Sequence, residues 1–519
     1  MKTTSKLLCL ILAIMMMLPM IASCDLFGKK DEDTPATTTA TTTASGDNNQ
    51  PGDDTNNDNN TAARDEVYNM TGLEDKSFDG VRFTVGYSFG GGTYISEWIP
   101  KPVNPRADEL EDNIVAEASF KRDQRFETLT GARLVYNGFA TNPNVYSGAY
   151  SESVNFITLN TGNLLKNFDM LMFGATTAGK LIPEKILLDM NEYDNLIHHD
   201  KDYYTSTLNK QLTIGGRQFA AAGYYTTGNL RGSQAICVNN TLLTNQAGTD
   251  LKQELYEVAL DKEWTFEKML SYDFAFATGT IRGDETDKYT FVTGQYGVEN
   301  LYYVMGGTHA VKNAQDLPVV SINSAENQAL LQKIQDYTSS KYVMVARESG
   351  HGKYFSQEQA IFEMSMLGAY GSVRNAKGID EILMPSPTEN EGDDYISYLP
   401  TWNANYSGIP VQVENPETSA YLYEMYMALS YNYIYPAFFE KTMKLTYAQN
   451  ANEAKIYDII ASTLTLDLAA VYGWVNAQNT DIRNMVDSVN PKDVTATTDA
   501  LAATLKVKIN EFLASYEIN

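Results

Sequence analysis

From Val81 onward the chain alternates short apolar runs, several ending in glycine, with longer helical stretches, and this alternation restricts the fold more than any other feature. Val81-Arg82-Phe83-Thr84-Val85 alternates in polarity and predicts a strand. A helix is predicted over 108–130, where Leu110, Ile114, Ala118, Arg122 and Phe126 recur every fourth residue and Gly131 supplies the stop. Arg133-Leu134-Val135-Tyr136 predicts the next strand, a helical stretch covers 154–165, and Phe168 to Phe173 reads as a buried strand closed by Gly174. The pattern recurs around Ala235–Val238, in a helix opening at Thr265 and in Ala360–Met366. Another helix opens at Asn415-Pro416, a cap residue followed by proline in the first turn, and from about Tyr435 the chain reads as helices to its end. Strands that alternate with helices need crossover connections, so the expected class is α/β with largely parallel sheets.

Composition bounds what such a fold can do. With 519 residues, 43% of them hydrophobic, the chain fills one large or two medium domains. A net charge of -26 repels phosphates and argues against nucleic acid as a partner. Neither of the glycine-rich phosphate loops, GxGxxG and GxxxxGK[ST], occurs, and no cofactor is expected.

The N-terminus sets the compartment. Lys2 and Lys6 precede an uncharged apolar run from Leu7 to Ala22, the layout of a secretory signal, and Pro19 makes that run a poor permanent span. Ile21-Ala22-Ser23-Cys24 is similar to a bacterial lipobox, whose cysteine becomes the lipidated first residue of the mature protein. An ordinary signal peptide that happens to hold a cysteine is the alternative; the small residues before Cys24 and the polar tail after it favour lipidation. Cys9 leaves with the signal and Cys24 carries lipid, so Cys237 has no partner for an intramolecular disulfide. Between Lys29 and Glu66 no apolar side chain exceeds alanine, so this Thr- and Asn/Asp-rich run cannot offset its ordering entropy. It predicts a flexible spacer, roughly 30–40 Å from end to end. Asp54, Asn56 and Asp58 resemble the start of a calcium loop, but Asn59 stands where that loop needs glycine.

Candidate chemistry is sparse. Gly86-Tyr87-Ser88-Phe89-Gly90 fits the G-x-S-x-G nucleophile elbow, which would make Ser88 a nucleophile with His309 or His351 as base. An elbow serine needs a helix at once, whereas Gly91-Gly92-Thr93 and the prolines 100, 102 and 105 follow, so a glycine-rich turn at a strand's C-terminal end is the better reading. His198-His199-Asp200 with Asp202 has the residue types of a metal site but not the i, i+4 spacing, and reads as a polar loop.

Thirty-four tyrosines and four tryptophans stand out in so acidic a chain. A flat ring stacks on the apolar face of a pyranose while amides satisfy its hydroxyls. The candidate ligand contacts, several of them beside glycine or small polar residues, are Trp98, Tyr224, Tyr225, Tyr370, Trp402, Asn403, Tyr406 and Trp474.

Several short elements occur in an order that resembles one family. They are Lys121-Arg122-Asp123-Gln124-Arg125-Phe126-Glu127, Phe168-Asp169-Met170-Leu171, Leu187-Leu188-Asp189-Met190 and Val238-Asn239-Asn240-Thr241-Leu242-Leu243. Leu255-Tyr256-Glu257-Val258 with Trp264-Thr265-Phe266, Met384-Pro385-Ser386-Pro387, Tyr435-Pro436-Ala437-Phe438-Phe439-Glu440 and Asp458-Ile459-Ile460 continue the series. Together they are similar to the extracellular solute-binding lipoproteins of ABC importers, in the branch assigned to sugars. Asn240 departs from that pattern, which has lysine there, as does the missing lysine after Pro387.

The resemblance implies a two-lobed, type II periplasmic-binding-protein-like α/β fold, each lobe a mostly parallel sheet flanked by helices, with hinge strands between lobes. It divides the chain into a signal peptide (1–23), lipidated cysteine and tether (24–76), lobe one (77–220 and 382–432) and lobe two (221–381 and 433–519). Crossings are expected near 219–225, 378–383 and 431–436. The implied function is a membrane-anchored, extracytoplasmic monomeric receptor, without catalysis, that hands a polar nutrient, a carbohydrate or oligosaccharide, to ABC permease subunits. The alternatives are the same fold with a peptide or other polar solute, an all-helical glycan-binding lipoprotein, and a secreted serine hydrolase using Ser88.

Replacing Cys24 by alanine is expected to leave the chain uncleaved by the lipoprotein peptidase or released into the medium. Membrane fractionation checks this: unchanged, detergent-dependent retention of the variant would exclude lipidation at Cys24.

Overall fold

The computed structural model describes residues 66–88, 114–138, 165–279, 286–295, 297–346, 352–369, 379–401, 403–475 and 480–518. Among these residues the strands form two main sheets. The first contains β1 (Arg82–Ser88), β2 (Arg133–Gly138), β3 (Met170–Gly174) and β12 (Asn405–Gly408) in the order β12-β3-β1-β2. The second contains β4 (Gln234–Asn239), β5 (Tyr289–Gly294), β8 (Val343–Ala346), β9 (Ala360–Met366) and β10 (Glu381–Pro385) in the order β10-β4-β9-β5-β8. Two short pairs complete the set: β6 (Ala310–Lys312) with β7 (Pro318–Val320), and β11 (Ser397–Tyr398) with β13 (Leu464–Thr465).

Both sheets are mixed. In the first, β1 pairs in parallel with β2 (Phe83 opposite Leu134) and with β3 (Val85 opposite Met170), while β12 runs antiparallel to β3. In the second, β9 and β5 are parallel (Phe362 opposite Phe291), and β4 runs antiparallel between β9 and β10. The apolar run of β3 is covered on both faces: Met170 and Met172 join one core cluster with Phe83 and Val85, and Leu171 and Phe173 join another. This is why β3 reads as a continuous apolar run rather than an alternating one.

Helices cover these faces: α1 (Ile114–Thr130), α2 (Ala175–Leu181), α3 (Gly228–Gly232), α4 (Ala325–Thr338), α5 (Pro416–Tyr435), α6 (Leu468–Val471) and α7 (Val494–Ser515). The buried stripe of α1 begins one residue later than the sequence period suggests. Ile114 is 45% exposed, and Val115, Ala118, Arg122, Phe126 and Leu129 face inward. Gly131 ends the helix at φ +71°, where a Cβ would overlap the Asp79 carboxylate. Helix α5 opens as its sequence suggests, with Pro416 in the first turn and the Asn415 side chain accepting from the Thr418 N–H at 3.1 Å. It continues without a break into a π-helical segment, Pro436–Tyr447, in which Thr442 Oγ1 bonds back to the Ala437 carbonyl five residues earlier.

The chain passes between the sheets three times. It first leaves the β12 edge at Ala221, whose backbone pairs with Ser407, and enters β4 through α3. The second passage corrects the sequence expectation. The boundary drawn at 381/382 falls inside β10, a strand of the second sheet held antiparallel to β4 with Leu383 opposite Cys237. The return to the first sheet comes later, through Leu399–Ala404 after β11 has paired with β13. This pairing joins positions far apart in the chain, so no local pattern announces it. The third passage is α5 and its π-helical extension: Leu422, Tyr426 and Leu429 pack in the first-sheet cluster, and Phe438, Phe439 and Met443 in the second.

The C-terminal residues touch both sides rather than one lobe. Helix α7 packs on α4 next to the second sheet, while the Tyr516 ring lies tilted against Phe219 at 4.4 Å and α6 lies on α2 beside the first. Where α6 meets α2, Gly473 (φ +71°) faces Gly179, and a Cβ at Gly473 would overlap the Gly179 carbonyl. Gly473→Ala is therefore expected to destabilise the chain by about 1–3 kcal/mol from backbone strain alone. Urea unfolding measures this; a loss within about 0.5 kcal/mol, the range of a neutral surface change, would mean that the two helices separate without cost.

Candidate functional site

The C-terminal ends of the parallel strands define one edge of each sheet. In the first, Ser88, Gly138 and Gly174 lie at that edge together with Asn405, the opening residue of antiparallel β12. In the second, Gly294, Ala346, Met366 and Pro385 lie there with Gln234, the opening residue of β4. These are the edges where open α/β sheets take ligands.

The two edges converge on a pair of asparagines. Asn229 of α3 accepts the Asn405 backbone N–H at 2.8 Å and donates its side-chain N–H to the Asn405 carbonyl at 2.9 Å. One amide side chain thus replaces a strand partner for β12, and both residues are almost fully buried. Asn403, two positions earlier, lies with its amide against the Met366 sulfur at 2.7 Å and its Cβ against the space a Gly232 side chain would fill. Gly232 is needed for that close approach. Asn403 is hence the sequence-nominated contact that sits where the edges meet.

The other nominated residues are dispersed. Tyr225 and Tyr406 are 1% and 0% exposed, and burial pushes both hydroxyls to higher pKa. Trp474 is 3% exposed, stacked at 5.2 Å on Tyr472 and edge-on to Phe512, so it belongs to the C-terminal core and not to a sheet edge. Tyr224 lies at the third passage, 5.3 Å from Tyr431 and 4.7 Å from Tyr435, with its hydroxyl pushed by burial up to about 12. Trp98, Tyr370, Trp402, Cys24 and the calcium-like run at Asp54–Asp58 lie outside the described residues. Asn229 escaped the sequence reading because an amide standing in for a strand is recognisable only once the topology is known.

Motif residues of the family-like elements turn out to hold the scaffold. Asp169 accepts the Thr84 N–H at 2.8 Å and the Ser419 hydroxyl at 2.6 Å, tying β1 to the start of α5. Asp189 accepts the Gln218 N–H at 2.9 Å. Trp264, fully buried, donates its indole N–H to the Pro385 carbonyl at 3.0 Å, and Thr265 caps the helix Phe266–Ser271.

The three described histidines, His198, His199 and His309, have partners other than Ser88. β1 is an interior strand of its sheet, which suits an elbow, but the helix that must follow falls outside the described residues, as does His351. His309, 2% exposed, meets Asp467 through Nδ1 at 2.9 Å, with Tyr303 and the Tyr398 ring beside them. His198 Nδ1 lies 2.9 Å from Glu424, and His199 Nδ1 faces Asn191 at 3.3 Å, so the adjacent pair points two ways. Burial holds the His199 pKa down to about 3. No group of three His, Cys, Asp or Glu side chains among the described residues is arranged to hold a metal.

No protein-family model matches the chain, and no curated protein matches it. Among solved structures, it is similar to UgpB from Mycobacterium tuberculosis in complex with glycerophosphocholine. The two are 13% identical, the match covers 76% of this chain and 95% of that one, and the TM-score is 0.49.

The Glu424 cluster sets a pH dependence. The hydrogen bond to Glu424 raises the His198 pKa, so the charged pair contributes in full below the unfolded value of about 6.5 and fades as pH rises through the folded one. With 24% of the His198 side chain exposed, His198→Ala is expected to cost about 1 kcal/mol at pH 5.5 and clearly less at pH 9. Urea titrations at the two pH values check it, and equal losses would show that the imidazole charge contributes nothing.

Proposed function

We propose that this chain is an extracytoplasmic solute receptor, anchored through lipid on Cys24, that binds a polar nutrient between its two sheets and hands it to an ABC permease. It performs no chemistry, and it acts as a monomer. The observation that carries this reading is the meeting of two sheet edges across Asn229 and Asn405, with three chain passages beside it. Two α/β halves joined by such passages can change their mutual angle around a ligand, and neither the Ser88 turn nor any described histidine forms a nucleophile–base pair to suggest a reaction instead. The order of the family-like elements supports the same reading, and the polar tether after Cys24 supports the anchor.

Within that function we assign the ligand class as carbohydrate. Asn403 at the junction, Trp402 before it and the aromatic positions Trp98 and Tyr370 supply amides and flat rings, the combination that suits a pyranose. Thermal melts against sugars, oligosaccharides and peptides test the class, because a ligand at a hundredfold its Kd stabilises the folded state by about 2.7 kcal/mol. Stabilisation by peptides alone would replace carbohydrate with peptide in the same cleft. Trp402→Ala is expected to weaken sugar binding about ten- to hundredfold with little loss of stability. A large stability loss with unchanged affinity would make Trp402 a core residue.

A further inference from the structure

A cavity of about 530 Å³ lies away from the converging sheet edges, at the third passage. Its floor is apolar, made by Val67 and Leu429, which are 4% and 0% exposed. Its walls carry Arg125 of α1, Tyr431, Tyr433 and Tyr435 of α5, and two carboxylates, Glu66 and Glu440. The volume falls in the range of small-molecule sites.

The lining decides the ligand class. Tyr435 is sandwiched between Tyr431 at 5.3 Å and Phe439 at 5.2 Å, so both faces of its ring are covered by other rings. Tyr433 stacks on no described ring, which leaves it a face for a ligand. Glu440 is paired with Lys444 at 3.3 Å, so two cations stand against two carboxylates and the walls favour neither an anion nor a cation. Donors and acceptors are both present over an apolar floor, which suits a neutral polyhydroxylated molecule.

The position of the cavity suggests what occupancy would do. Glu66, Arg125 and Leu429 belong to the first-sheet side, and Pro436 and Glu440 to the π-helical segment that enters the second. Tyr224 of the first passage packs on Tyr431 and Tyr435, so the first passage shares its ring contacts with two residues of the cavity wall. We propose that this cavity is a second small-molecule site, for a neutral polyol or sugar of one or two rings, coupled to the opening of the main cleft. The coupling is reciprocal: a ligand that widens or narrows the cavity shifts cleft affinity by the same factor that cleft ligand shifts its own.

Hydrogen exchange on the full chain tests this with trehalose, tetramethylammonium chloride and sodium sulfate as probes. Trehalose is expected to protect 429–440 and 121–128, and Tyr433→Ala and Arg125→Gln to weaken that protection about tenfold. Tyr433→Phe, which keeps the ring, is expected to retain most of it and so separates contact from misfolding. Three results overturn the proposal: no protection at 429–440, protection there unchanged in Tyr433→Ala, or protection given by the cation or the sulfate and not by trehalose. Protection confined to 225–234 and 403–408 overturns it too while supporting a sugar in the main cleft, so the two sites fail separately.

Discussion

Helix α5 is buried on nearly every side from Ser419 to Ser430, and it carries Glu424 into the interior beside the buried Arg122 of α1. Glu424 is fully buried, yet its carboxylate is met on all approaches: the His198 N–H at 3.0 Å, the His198 ring at 2.9 Å, the Tyr204 hydroxyl at 2.6 Å and the Tyr203 hydroxyl. A turn further on, the buried guanidinium of Arg122 donates to Ser430 Oγ at 2.7 Å and Tyr136 at 3.0 Å, and lies 4.2 Å over the Tyr426 ring. Asp123 neutralises it and itself accepts from Tyr136 at 2.8 Å. Breaking such a pair by removing one partner leaves an uncompensated buried charge, a loss of about 3–5 kcal/mol. The paired charges therefore fix where α5 sits against α1 and against the 197–205 loop.

That placement governs the passages between the sheets. The loop held by Glu424 runs into Tyr204 and Thr205, which bond the backbone at Gly223 and Ala222 on the first passage. Ser407 of β12 pairs with Ala221 on one side and meets the Tyr423 hydroxyl of α5 at 2.8 Å on the other. Thus α5 packs against Gly223 of the first passage and against β12, into which the second passage leads, and becomes the third. One helix thus links the three passages, an arrangement that suits two halves rotating as units.

Much of the architecture was legible in the sequence where a local cause sufficed. The continuous run at Phe168–Gly174, the stop at Gly131 and the Asn415-Pro416 start each follow from burial, positive φ or a capping bond that needs no distant partner. What needed distant partners was missed. The second passage was placed some twenty residues early because β11 pairs with β13, across more than sixty positions. Arg122 was legible as a stripe position but not as a buried charge, since its neutralisation involves β2 and α5 as well as its neighbour. Trp474 looked like a loop aromatic because Gly473 precedes it; that glycine serves a helix contact with Gly179, and the tryptophan behind it fills core.

The same division separates scaffold from specificity. Asp169, Asp189, Trp264 and Thr265, which carry the family-like pattern, spend their polar atoms on backbone groups of the chain itself. Residues used this way can persist while the ligand changes, so a pattern built from them identifies a fold and says little about what it binds. On the proposed function, specificity is assigned to side chains at the converging edges, and among the described residues that place holds three amides: Asn229, Asn403 and Asn405. Two of these three are consumed in holding β12 to α3. On the function proposed above, Asn403, whose amide contacts a sulfur and not a strong acceptor, is the one of the three with a better partner to gain from a hydroxylated ligand.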